Sequence, residues 1–317
     1  MILLFTNQRD LTTDFVVLEL QRRSAAFRRI NTENLPLGFA TVGFRGREDW
    51  TLQLGDDCIR GEDVQAAYFR RPGPPELSAN IREAGERAYC HGEWGALLKT
   101  IYSRLDTRWL NSPAAIMLAE DKPRQLLLAL ELGFRVPETV VTNAIDAACS
   151  FLEGPAAIAK PLREALIPGV EEKVIFTSRV GHLSGRDAQA FAAAPMILQR
   201  EIPKRVDLRV TVVGDRVFAT AIGSQQHEET QVDWRRGGVA ELSHDVFDLP
   251  ADVSERCRRL VKELGLRFGA IDLVWDQDGE FWFLEINPNG QWAWIENRTG
   301  QPIVGAIVDE LERISAQ

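Results

Sequence analysis

Residues 268–289 read FGAIDLVWDQDGEFWFLEINPN, and the fold turns on how this stretch is interpreted. Two apolar runs flank DQDGE, which predicts a β-hairpin. Yet Asp272, Glu285 and Asn287 stand inside those runs, where a hydrophobic hairpin should bury apolar groups. Alternation along a strand puts Glu285 and Asn287 on one face. The same parity assigns Phe281 and Phe283 to that face and Trp282, Leu284 and Ile286 to the other. A two-residue type I′ turn at Asp278–Gly279 sets Asp272 directly opposite Glu285, with Cβ atoms about 4.5–5.5 Å apart. A four-residue loop, Asp276 to Gly279, makes them diagonal neighbours instead. Two carboxylates that close repel each other, and desolvation adds to the cost. A divalent cation offsets both terms, and an Asp, a Glu and an Asn supply hard oxygens suited to magnesium bridging to phosphates. The competing explanation is a protonated carboxyl, or one paired with an arginine such as Arg298.

Upstream of the hairpin, VDLRVTVVGDRVFATAI (206–222) predicts a second hairpin turning at Gly214–Asp215. LPADVSERCRRLVKELGL (249–266) has the spacing of an amphipathic helix ending near Gly265, and PIVGAIVDELERI (302–314) that of a closing helix. AAIAKPL, VIFTSRV and PMILQREI read as strands, GRDAQAFAAA as a helix, and 162–173 as a loop or short irregular helix. A helix after Pro113 runs through LAEDKPRQLLLALELGF. Nearer the start, ILLFT, FRRIN and AAYFRRP read as strands of a parallel sheet. The helix after the first has Phe15, Leu18 and Phe27 as its inward stripe, and a further helix follows the break RPGPPE. The expected architecture is α/β in three units, 1–112, 113–196 and 197–317.

The chain has 317 residues, 45% hydrophobic and 26% charged, with a net charge of −9. That balance argues against non-specific nucleic-acid binding. No apolar run reaches transmembrane length, and MILLFTNQRD lacks a basic leader, which predicts a first strand and no membrane partner. Cys58, Cys90, Cys149 and Cys257 form no CxxC pair, as expected of reduced thiols in a cytoplasmic enzyme.

Lys122 in EDKPRQ, Lys160 at the end of AAIAKP, the linker QREI, the pair Asp207 and Arg209, then Asp272 and E-x-N follow one another in the order of the ATP-grasp fold, which the chain resembles over nearly its whole length. That resemblance implies a pre-ATP-grasp α/β domain and two lobes sandwiching ATP. It implies phosphate contacts from Lys122 and Lys160 and adenine held through the backbone of Gln199, Arg200, Glu201 and Ile202. It also puts Asp207 near the ribose, magnesium on Asp272, Glu285 and Asn287, and the loop 162–173 over the triphosphate. That loop has one glycine, Gly169, where the wider family is glycine-rich.

A narrower set, including FRRINTENLP, YFRRPGPP, LQREIPKRVDLRVTVV, VDWRR and NPNGQWAWIE, is similar to the microviridin-type maturases, or graspetide synthetases. These act on ribosomally made precursor peptides, activating Glu or Asp side chains as acyl phosphates for attack by Ser, Thr or Lys. The resemblance further implies a homodimer and a leader-binding region at KVIFTSRV and the helix near 186–194. Arg209, two residues from Asp207 and on its face, is the candidate to hold the acceptor carboxylate and stabilise its oxyanion; a structural pair with a hairpin carboxylate is its alternative. Arg235 is a second candidate for substrate or phosphate, with Asp233 supporting the nucleotide site. Arg70 and Arg71 face either the cleft or a surface turn, and Trp292 and Trp294 either wall the cleft or fill core. Similarity to ligases that join free amino acids or modify a protein terminus gives a second functional reading. A non-catalytic nucleotide or peptide carrier gives a third.

Overall fold

The computed structural model describes residues 1–38, 40–46, 49–163, 166–167, 173–237 and 242–317. Its first sheet is parallel throughout, built from β1 (Ile2–Thr6), β2 (Phe27–Asn31), β6 (Ala66–Phe69) and β7 (Trp109–Leu110) in the order β2-β1-β6-β7. Between β1 and β2 lies α1 (Leu11–Arg22), capped by Asp10. Its inward residues are Thr12, Thr13, Val16 and Leu20, while Leu18 is 64% exposed and Phe27 belongs to β2. The expected stripe is therefore displaced: the helix stops at Arg22, and the apolar spacing counted across its end does not belong to one helix. An antiparallel meander, β3 (Ala40–Phe44), β4 (Trp50–Leu54) and β5 (Asp57–Arg60), has no counterpart in the sequence reading. It covers one face of the sheet, where Trp50, Leu52 and Ile59 pack on Leu3 and Phe5 with Ile101 of α2 (Ala84–Tyr102).

The predicted helix after Pro113 is two helices, α3 (Pro113–Ala119) and α4 (Lys122–Glu131). Asp121 accepts a hydrogen bond from the Arg124 N–H and Pro123 follows, so the chain starts a new helix there. The central sheet takes β8 (Thr139–Thr142), β9 (Ala157–Pro161), β12 (Ser178–Arg179) and β13 (Met196–Arg200), in the order β12-β9-β13-β8, with α5 (Ile145–Leu152) and α6 (Ala188–Ala192) beside it. Within the segment read as loop or irregular helix, β10 (Leu166–Ile167) pairs antiparallel with β11 (Lys173–Val174). Residues 164–165 and 168–172, Gly169 among them, lie outside the described residues, and so does the expected closure over a triphosphate.

The third sheet is antiparallel: β14 (Lys204–Val213), β15 (Arg216–Ile222), β16 (His244–Val246), β17 (Phe268–Asp276) and β18 (Phe281–Asn287), ordered β16-β15-β14-β17-β18. Gly214, with φ of 55°, makes the expected tight turn. One face of the sheet packs Leu208, Val210, Val212, Ile271, Leu273, Phe283 and Ile286 against α4 and α7 (Ala251–Glu263). After α8 (Ala293–Thr299), α9 (Ile303–Ser315) returns to the start of the chain: Ile303, Ile307 and Leu311 share a core with Ile2, Leu4, Val16 and Leu20. A buried asparagine joins the same two parts. Asn111, at the end of β7 with φ of 58°, donates to the carbonyls of Phe268 (2.7 Å) and Pro288 (2.9 Å) and accepts from the N–H groups of Arg267 (2.7 Å) and Phe268 (3.0 Å). Four bonds to one amide satisfy it fully and lock the first sheet against the hairpin that carries the carboxylates.

Candidate active site

The decisive hairpin differs from its expected form in a way that matters for chemistry. Its loop spans Gln277 to Gly279, with Gly279 at φ of 86° and the Asp276 carboxylate accepting from the N–H groups of Asp278 and Glu280. Near this loop Leu273 faces Phe283, whereas further along Asp272 faces Glu285 and Ala270 faces Asn287. One extra residue, Leu284, is accommodated as a β-bulge. The bulge restores the opposition of Asp272 and Glu285 and reverses the parity of the residues between it and the loop. Phe283 therefore lies in the core with Ile286, not on the carboxylate face.

Arg209, Asp272 and Glu285 are direct neighbours across β14, β17 and β18. Arg209 Nη1 donates to Asp272 Oδ1 at 2.8 Å. Arg235 Nη2 lies 2.8 Å from Asp272 Oδ2 and 2.9 Å from Glu285 Oε1, so both carboxylates converge on one cationic nitrogen. Lys122 Nζ stands 3.4 Å from Glu285 Oε2 and donates to the Pro161 carbonyl at 3.0 Å. The arginine partners of the hairpin are thus Arg209 and Arg235 rather than Arg298. Burial alone would raise the Glu285 pKa, but Lys122, Arg235 and Lys160 outweigh it and hold the carboxyl below the usual range. Asn287 accepts from the Asn289 N–H at 2.9 Å, which turns the chain into Gly290. A Cβ on Gly290 would meet Ala270 Cβ at 2.3 Å and Arg209 Nη2 at 2.7 Å, so only glycine lets the loop close over Arg209.

Strand β18 is a sheet edge, and its outward backbone groups are taken by Arg135 and by two residues of the cleft, Lys160 and Gln125. Arg135 accepts from the Phe283 N–H, Lys160 donates to the Leu284 carbonyl at 3.3 Å, and Gln125 bonds both groups of Ile286. The bulge thus has a partner in Lys160. That lysine is buried, and desolvation, opposed by Glu285, lowers its pKa to about 8. Gln125, a site-positioning residue that sequence reasoning missed, lies one turn after Lys122; the KxxQ spacing at a helix start gave no sign of the strand it would meet.

Lys122, Gln125, Lys160, Arg235, Asp272, Glu285 and Asn287 line a cleft of about 610 Å³ with Arg71, Gln199, Asp207, Asp233, Trp234 and apolar residues including Ile158, Val174, Ile175 and Leu284. Asp207 is buried, bound to Lys204 Nζ at 2.9 and 3.0 Å and to Ser224; desolvation keeps its pKa above the ordinary value despite that lysine. Asp233 accepts from the Thr177 N–H at 3.1 Å and from the Arg235 N–H at 3.1 Å, tying the central sheet's edge to the loop that carries Arg235. Of the expected linker only Gln199 lines the cleft. Arg200 stacks on Phe151, 4.0 Å from its ring centre, and pairs with Glu138; Glu201 pairs with Arg179. The N–H groups of Arg200 and Glu201 already donate to Glu138 and Ala156, and Ile202 is half-buried. Arg70 is no surface turn but is buried against Asp10 and Gly290. Trp292 is fully buried core, while Trp294 packs 5.5 Å from Trp234.

Among the described residues no three His, Cys, Asp or Glu side chains form a metal-binding group. Two carboxylates with an asparagine remain a fit for magnesium, because the carboxylate oxygens already converge on one cation and hard-oxygen magnesium sites need few protein ligands. No described helix is long and apolar enough to cross a membrane.

The chain is similar to a RiPP-associated ATP-grasp ligase of Chryseobacterium gregarium, solved with ADP and a leader and core peptide. Identity is 27%, the TM-score is 0.88, and 98% of this chain and 96% of that one are covered. The macrocyclase MdnB of Microcystis aeruginosa MRC is 32% identical with a TM-score of 0.80, over 98% of each chain. A curated relative named a probable alpha-L-glutamate ligase, from Chromohalobacter salexigens, is 25% identical over 224 residues, 69% of this chain and 72% of that protein. No protein-family model matches.

Proposed function

The chain belongs to the ATP-grasp ligases associated with ribosomally synthesised and post-translationally modified peptides, and we propose that it closes side-chain ester or amide rings in such a precursor peptide. A carboxylate is a poor electrophile because oxide would have to leave. Transfer of the terminal phosphoryl group of ATP to a Glu or Asp side chain gives an acyl phosphate and ADP. Attack by a Ser or Thr hydroxyl, or a Lys amine, then forms the ester or amide; inorganic phosphate departs and the nucleophile gives up its proton. Such transfer depends chiefly on positioning and charge neutralisation.

The observation that carries this reading is the row Arg209–Asp272–Glu285, flanked by Lys122, Lys160 and Arg235 at one cleft. In our reading Lys122 and Lys160 balance the polyphosphate, Gln199 borders the adenine and Asp207 the ribose, and Asp272, Glu285 and Asn287 would hold magnesium. When bound, that ion supplies charge neutralisation on the phosphates. Arg235 would face the developing charge on the substrate, with Arg209 holding Asp272 from behind as the structural pair weighed above, while Asp233 holds the backbone of the Arg235 loop. The leader is proposed to lie along 173–180 and α6, and the enzyme to act as a homodimer in the cytoplasm.

Incubation with ATP, magnesium and a precursor peptide rich in Thr and Glu or Asp should lower the peptide mass by one water per ring. An unchanged mass alongside ATP consumption would redirect the assignment to the second reading, a ligase joining free amino acids or modifying a protein terminus. The curated relatives' names favour testing glutamate as the added group.

A further inference from the structure

The strand order of the first sheet reverses between β1 and β6: the chain passes to β2 on one side and to β6 and β7 on the other. Open α/β sheets take ligands in the crevice beyond the carboxyl ends of strands at such a point. Here the chain leaves β6 through Arg70 and Arg71. Arg70 is spent on the fold: its Nε lies 3.2 Å from Asp10 Oδ2, and Nη1 donates to the carbonyls of Asn289 and Gly290.

Arg71 is different. Its backbone is left-handed, with φ of 45°, a conformation that costs a side-chain-bearing residue on the order of 1 kcal/mol. Asn7 fixes that turn by donating to the Arg71 carbonyl at 2.6 Å. The guanidinium lines the cleft and has no hydrogen-bond or ion-pair partner among the described residues. Other cations of the cleft are engaged: Lys122 by Glu285, Lys160 by Leu284, Arg235 by both hairpin carboxylates and, beside it, Arg209 by Asp272. Arg71 is solvent-exposed in the cleft, and partial desolvation, then the neighbouring charges of Arg70 and Arg209, lower its pKa, with Asp10 opposing in part. A strained turn that presents an uncompensated planar cation calls for a planar anion.

Resting on the ligase reading above, we propose that Arg71 binds the substrate carboxylate that is to be phosphorylated. It reaches the cleft from the first sheet, whereas Lys122, Lys160 and Gln199 come from α4 and the central sheet, the nucleotide's side in that reading. Arg71 thus holds the acceptor, and the phosphoryl donor approaches it from the opposite wall.

The test uses Arg71→Asn and Arg71→Lys in the full-length enzyme. Asparagine tolerates the left-handed backbone, so the turn keeps its shape while the charge is lost. Peptide titration of ring closure should show KM for the precursor raised about tenfold or more in Arg71→Asn. Nucleotide Kd measured without peptide should stay within about twofold, and Arg71→Lys should recover part of the loss. Wild-type enzyme should also bind a precursor with its acceptor Glu changed to Gln more weakly than the native one, and Arg71→Asn should lose that discrimination. An unchanged peptide KM overturns the assignment; so does a matching fall in nucleotide affinity, which would make Arg71 a phosphate contact. A wild type that closes no ring in its precursor defeats the ligase reading itself, and this assignment with it.

Discussion

Glu285 sits between one lysine and one arginine and opposite Asp272, so its removal unbalances the whole row. Glu285→Gln should cut ATP turnover on the order of a hundredfold or more, since metal-borne charge stabilisation is worth several kcal/mol. Phosphate release checks this, and an unaltered rate would refute the metal assignment. Lys160 offers a pH test. Its pKa of about 8 lies below the ordinary 10.5 because burial penalises the charged form. A cation is needed to meet phosphate, so kcat/KM for ATP should fall as pH rises through about 8. Lys160→Arg should carry activity, if lower, to more alkaline pH. Between about 8 and 10.5 the unfolded chain binds more protons than the folded one, so this lysine's contribution to stability improves with rising pH in the same window.

Strand β18 shows how an edge is made useful. Its bulge at Leu284 turns a carbonyl to Lys160, and Gln125 pairs with Ile286 as a neighbouring strand would. An unpaired edge would be both unsatisfied and sticky. Gln125→Leu keeps the volume but takes a buried partner from three backbone groups, the Ala119 carbonyl and both groups of Ile286, which should cost about 2–4 kcal/mol in urea unfolding. It should also weaken the response of ATP turnover to magnesium, because Glu285 and Asn287 flank Ile286; full stability would mean that this edge is satisfied otherwise. Much of this element was legible: the apolar runs, the turn residues and the misplaced oxygens define a hairpin with a site on it. The bulge was not legible, because no residue at Leu284 signals it. What selects it is the cost of exposing Phe283, which belongs with Phe134, 5.7 Å away on α4's flank.

Across the whole molecule, the ends of the chain pack together and Asn111 ties the first sheet to the hairpin that carries Asp272 and Glu285. Asn111→Ala should lower stability by about 3 kcal/mol or more, since four buried backbone groups lose a partner. It should also disturb the left-handed turn at that position, and ring formation should suffer more than nucleotide binding. A variant as stable as wild type would show that the shared core alone holds the two parts together.

By itself the sequence determined the type and order of the principal strands and helices, because apolar periodicity is a local property. It also singled out Asp272, Glu285 and Asn287 as candidates, because oxygen-bearing groups within apolar strands are conspicuous, and resemblance to a family added Lys122 and Lys160; all five line one cleft. Only the tertiary structure decided that α4 starts afresh at Lys122, that Gln125 serves as a strand partner, and that Arg70 is buried while Arg71 is left facing the cleft. Each of those outcomes depends on groups far apart in the chain competing for the same hydrogen bonds and charges, and that competition exists only once the chain has folded.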